Sequence, residues 1–86
     1  MGLGAARVLS KRSFTLAGHR TSVALEAEFW AALARLAALD GQTLAQLVVA
    51  VDARRQAGEQ LASSLRVLAL RRANEYISEV NKESDS

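Results

Sequence analysis

The chain has 86 residues, a formal net charge of +2, half of its residues hydrophobic and only 5% aromatic. That is the size of one domain, with a core built from Ala, Leu and Val rather than from rings. With no cysteine and a single histidine, disulfide frameworks and thiolate metal sites are excluded, and no apolar run approaches the roughly 20 residues that cross a bilayer.

Charge is unevenly placed. Arg7, Lys11, Arg12 and Arg20 meet no acidic residue before Glu26, whereas Glu75, Glu79, Glu83 and Asp85 are opposed near the other end only by Lys82. Two readings of the basic front stay open: it meets a polyanion, or it is a solvated arm.

Residues 1–10 carry two glycines and small apolar residues without a period, and read as a flexible arm. From Lys11 to Ala17 the chain alternates, with Phe14 and Leu16 on one face, until Gly18 and His19 interrupt it. This segment is either the first part of one long ribbon with a break or a separate extended piece; periodicity does not decide. Arg20-Thr21-Ser22-Val23-Ala24-Leu25 then alternates as a short strand. If Val23 and Leu25 face a core, Arg20, Ser22 and Ala24 share the opposite face.

The period changes at Ala27. Phe29, Leu33, Leu36 and Ala37 fall at the i, i+4, i+7, i+8 spacing of a buried helical stripe, with Trp30 at its flank, packed there or at a seam between chains. Glu26 and Glu28 complement the dipole at the start of this helix, and Gly41 is placed to end it in the left-handed conformation. Thr43-Leu44-Ala45-Gln46 matches a capping box, and Leu44, Leu47, Val48 and Val51 form the buried face of the second helix. Arg54 and Arg55 read as its solvated end. After a polar break centred on Gly58, a third helix is expected over residues 61–76, with Leu61, Leu65, Leu68 and Arg72 on one stripe, Val67 and Leu70 beside it, and Ser63 or Ser64 as an alternative, later N-cap. Residues 77–86 read as a flexible acidic tail.

One short strand followed by helices leaves both strand edges unpaired, so a second copy of the chain is the expected supplier of a partner strand. Two such strands, antiparallel across a two-fold axis, present Arg20 and Ser22 twice. A two-stranded ribbon fits the major groove of B-DNA, where Arg donates to guanine and Ser serves several bases. Catalysis has little to work with: His19 has no acidic neighbour in sequence, and the glycines at positions 2 and 4 lack the Lys-Ser/Thr sequel of a phosphate loop. No enzyme activity, metal or cofactor is expected.

The order strand, helix, Asp40-Gly41-Gln42-Thr43 turn, helix resembles the ribbon-helix-helix (Arc/MetJ-type) DNA-binding domains. The pattern from Lys11 through Thr21-Ser22, continued at Leu61-Ala62-Ser63-Ser64-Leu65-Arg66-Val67, resembles a bacterial subfamily of them with an added C-terminal helix. The resemblance implies a mainly α fold with one short strand, over residues 11–76, forming an intertwined homodimer around an intermolecular two-stranded antiparallel ribbon. It implies base reading by Arg20, Ser22 and Ala24, and a phosphate held at Gln42, Thr43 and Leu44, with Lys11, Arg12 and His19 touching flanking phosphates. Val23, Leu25, Phe29, Leu33, Leu36, Leu47, Val48 and Val51 would form the dimer core. Ala24 departs from the long polar reader many members carry, which limits readout there to contact with a thymine methyl. The implied role is a cytoplasmic transcriptional regulator of double-stranded DNA. A protein-interaction module, an antitoxin or adaptor with another protein bound through residues 61–72, is the alternative.

Overall fold

Alternation from Leu9 onward turns back on itself at Ala17 and Gly18, so the strand before the first helix already has a partner in its own chain. The computed structural model, which describes residues 8–85, places β1 at Leu9–Leu16 and β2 at His19–Glu26, then α1 at Ala27–Leu39, α2 at Leu44–Arg54 and α3 at Leu61–Asp85. The strands pair antiparallel from Leu16 opposite His19 out to Leu9 opposite Glu26. The expectation of a single strand is thereby corrected: the segment whose pairing periodicity left open is the other half of a hairpin. Of the arm expected over residues 1–10, residues 1–7 lie outside the described residues, and Leu9 and Ser10 belong to β1.

The turn works because two residues accept left-handed backbone. Ala17 has φ 51° and Gly18 φ 81°, the combination that matches the twist of a two-residue hairpin. Glycine takes this conformation freely; an L-residue pays about 1–2 kcal/mol for it.

Strict alternation then sorts the hairpin into two faces. Phe14, Leu16, Val23 and Leu25 point to the helices and are buried, Leu25 completely. Trp30 closes this layer from α1. It is 2% exposed, its indole Nε1–H donates to the Ser10 carbonyl at 2.8 Å, its ring centroid lies 5.8 Å from that of Phe14, and the Arg12 guanidinium lies 5.3 Å above it. Trp30 is therefore a core residue rather than a flanking one. The buried stripe of α1 is Trp30, Leu33 and Ala37, with Phe29 and Leu36 half-buried beside it.

A Schellman turn ends α1. Gly41, at φ 71°, lets its own N–H reach the Ala38 carbonyl at 3.1 Å and the Gln42 N–H reach that of Ala37 at 2.9 Å, satisfying carbonyls that the helix end leaves without partners. α2 then departs at 96° to α1, burying Leu47 and Val48.

α3 covers the remaining side with Leu61, Leu65 and Ala69. It begins at Leu61, so Ser63 and Ser64 lie inside it; the Ser64 N–H bonds to the Gln60 carbonyl at 3.0 Å. Arg66 fastens it to the strand–helix junction, its Nε 3.0 Å from the Glu26 carboxylate and its guanidinium 5.8 Å from the Phe29 ring. Arg72 reaches Asp40 at 3.4 Å. The helix runs on past residue 76 to Asp85.

The eight residues expected in a dimer core are packed within the single chain. Val23, Leu25, Leu33, Leu47 and Val48 are buried, and Phe29, Leu36 and Val51 are packed against them.

Two measurements check this account. Ala17→Asn, which tolerates the left-handed turn, is expected to raise the unfolding free energy by about 0.5–1 kcal/mol in urea titration; a loss of stability would contradict the turn geometry. Leu65→Ala, at a fully buried position, is expected to cost about 2–5 kcal/mol.

Candidate nucleic-acid interface

The face of the hairpin turned away from the helices carries Lys11, Ser13 and Thr15 from β1 and Arg20, Ser22 and Ala24 from β2. Register brings them together in cross-strand pairs: Lys11 opposite Ala24, Ser13 opposite Ser22, Thr15 opposite Arg20. Ala24 is half-buried and the other five are exposed. The Ser13 and Ser22 hydroxyls lie 3.2 Å apart, and an Arg20 guanidinium nitrogen lies 3.5 Å from the Thr15 hydroxyl. Across these three rungs the surface holds two cations, three hydroxyls and no acid. Glu26, at the far end of β2, is engaged by Arg66.

The three residues expected to read bases are therefore on one face. Of the residues expected to touch flanking phosphates beside them, Lys11 shares that face. Arg12 and His19 do not: register pairs Arg12 with Val23 and His19 with Leu16, on the side facing the helices, where Arg12 stacks on Trp30. Ser13 and Thr15 were missed. Their signal was the alternation of Lys11, Ser13 and Thr15 against Phe14 and Leu16; only the turn at Ala17 and Gly18 reveals that this alternation lies beside that of β2.

A second element of the site lies at the start of α2. The Thr43 hydroxyl accepts the Gln46 N–H at 3.1 Å and the Gln46 side-chain carbonyl accepts the Thr43 N–H at 2.8 Å, a complete capping box. The Gln42 N–H is used by the Schellman turn. Two of the three amides expected to hold a phosphate, those of Gln42 and Thr43, are thus committed within the chain. The amides left without an acceptor among the described residues are those of Leu44 and Ala45, in the first turn where N–H groups and the helix dipole favour an anion.

The opposite end of α2 is basic as well. Arg54, Arg55, Arg71 and Arg72 line a groove of about 620 Å³ between α2 and α3. Arg55 is held by Asp52 at 3.0 Å and Arg72 by Asp40, whereas Arg54 and Arg71 have no ion pair among the described residues. No helix among those residues is long and apolar enough to cross a membrane by itself.

The family model described as a ribbon-helix-helix domain matches residues 9–73, from the first residue of β1 into the middle of α3. No curated protein and no solved structure matches the chain.

The capping box has a direct check. Thr43→Ala is expected to destabilise the protein by about 1 kcal/mol in thermal or urea unfolding, while Thr43→Ser leaves stability nearly unchanged. Equal losses in the two variants would mean that the hydroxyl does not cap α2.

Proposed function

The chain belongs to the ribbon-helix-helix family, and from that premise we propose that it is a DNA-binding transcriptional regulator acting in the cytoplasm as a homodimer. Domains of this family are generally DNA-binding or antitoxin-like, and the fold is regulatory rather than enzymatic. The observation that carries the choice of DNA is the outer face of the hairpin: Lys11 and Arg20 among hydroxyls, with no acid among them.

In this reading the free edges of two β2 strands pair across a two-fold axis, and the inner strands lie in the major groove. Arg20 donates to guanine O6 and N7, Ser22 bonds a neighbouring base edge, and Ala24 contacts a thymine methyl. Strands lie about 4.8 Å apart, so each β1 runs outside the reading pair, towards the walls of a groove about 12 Å wide. Lys11 then meets backbone phosphates rather than bases. The Leu44 and Ala45 amides bind a further phosphate, which fixes the register of the protein on the duplex without reading sequence.

The two-fold axis requires operator half-sites arranged as inverted repeats. Neutralising about four phosphates per dimer implies a loss of affinity of roughly a hundredfold between about 50 and about 200 mM salt. Selection of bound DNA from a random pool at two salt concentrations tests both statements. Arg20→Ala with Ser22→Ala is expected to weaken binding to the selected site by at least about 2–6 kcal/mol per dimer, since the bidentate Arg20 contact of each protomer alone is worth about 1–3 kcal/mol, and to relax the sequence preference. An unchanged preference in that variant would falsify strand readout. A chain that retains no DNA even at low salt would favour the second reading, an antitoxin or adaptor. The exposed apolar residues of α3 favour that reading, and its helical backbone to Asp85 weighs against a disordered toxin-wrapping segment.

A further inference from the structure

The groove between α2 and α3 is charged at both ends and apolar between them. Leu47, Ala50 and Val51 from α2 and Val67 and Leu68 from α3 line its middle. The two helices are joined only by residues 55–60, and Arg72 on α3 reaches Asp40, ahead of α2, so they run in opposite directions along the groove. Arg54, the last residue of α2, therefore stands at one end with Ser63 and Ser64, and Arg71 stands at the other with Gln42. From Ser64 to Arg71 is about 10 Å of helix. The carboxylates bordering the groove are already engaged: Asp40 by Arg72 at 3.4 Å, and Glu59 by the Gln56 N–H at 3.0 Å. Arg54 and Arg71 are exposed and have no ion pair among the described residues.

We propose that this groove binds an elongated organic dianion, an α,ω-dicarboxylate, with one carboxylate on Arg54 and the other on Arg71. Three observations select that chemistry. The volume, about 620 Å³, lies within the roughly 300–1,000 Å³ of small-molecule sites. Each end offers a guanidinium, whose planar fork meets a carboxylate with two parallel hydrogen bonds, and at the Arg54 end the Ser63 and Ser64 hydroxyls add further donors. The middle is lined by aliphatic side chains, which favour methylene groups over a chain that is polar throughout. A nucleic-acid backbone or an acidic peptide would set charges or peptide groups against Val51, Val67 and Leu68, at a cost in desolvation. A single small anion such as phosphate reaches only one of the two ends. No hairpin residue lines the groove, and the site does not rest on DNA binding.

Isothermal titration calorimetry of the full chain, without DNA, tests the proposal. Suberate or its longer homologue sebacate is expected to bind with one molecule per chain. Octanoate, which keeps the apolar body and one carboxylate, is expected to bind at least about tenfold more weakly, the effect of losing one charge-assisted contact. Octanediol and inorganic phosphate are expected to bind more weakly still. Arg54→Gln and Arg71→Gln are each expected to weaken dicarboxylate binding by about tenfold or more and to leave octanoate within about twofold, since one guanidinium remains for its single carboxylate. Both side chains are exposed, so these variants keep the wild-type circular dichroism spectrum and sedimentation mass. Arg35→Gln removes an exposed cation that does not line the groove, and leaves dicarboxylate affinity as it is. Absence of binding by both dicarboxylates, equal affinity for suberate and octanoate, phosphate binding as tight as suberate, or an equal loss in Arg35→Gln would overturn the assignment.

Discussion

Trp30 holds together two parts of the chain that would otherwise have no reason to meet. Its indole N–H donates to the Ser10 carbonyl, its ring packs beside Phe14, and Arg12 lies over its outer face. A two-stranded hairpin is marginal in water without a surface to pack against, and this contact gives β1 that surface. Once β1 is held, alternation leaves its remaining side chains no choice: Phe14 and Leu16 go inward, and Lys11, Ser13 and Thr15 go outward. The chemistry of the outer face is thus set from behind, by an aromatic residue that does not reach it.

The same constraint divides the arginines by task. Arg12 and Lys11 are neighbours in sequence but lie on opposite faces, one stacked on an aromatic ring and the other open to solvent. Arg66 is held between Glu26 and Phe29 and ties α3 to the junction where β2 becomes α1. Arg20 stands near the tip of the hairpin with the Thr15 hydroxyl beside it and no ion pair among the described residues. A cation held by a carboxylate is poorly placed to neutralise a phosphate, so the eleven basic residues of the chain overstate what its surface offers to a polyanion. Among the described residues, Lys11 and Arg20 on the hairpin, Arg35 on α1, and Arg54 and Arg71 beside the groove between α2 and α3 carry charge that no carboxylate pairs.

Features encoded by neighbouring residues were legible in the sequence. Gly41 and the Thr43/Gln46 box specify the turn between α1 and α2 within a few positions, and the structure repeats that reading bond for bond. The outward set Arg20, Ser22 and Ala24 followed from a period of two. What escaped depended on distant partners or on an unfavourable residue. Phe29 and Trp30 are both plausible core positions on a helical wheel, and a carbonyl twenty residues away selects Trp30. The hairpin was hidden because Ala17 is a poor advertisement for a left-handed turn. The committed amides of Gln42 and Thr43 were hidden because a capping box, recognised as stabilising, also consumes donors.

Leu25, Leu33, Val48 and Leu65, each fully buried, come one each from β2, α1, α2 and α3. A close-packed interior passes strain from one neighbour to the next, so a change of volume at any of the four positions is felt by strand and helices together. The placement of the outer face of the hairpin is therefore sensitive to residues on elements that never touch it.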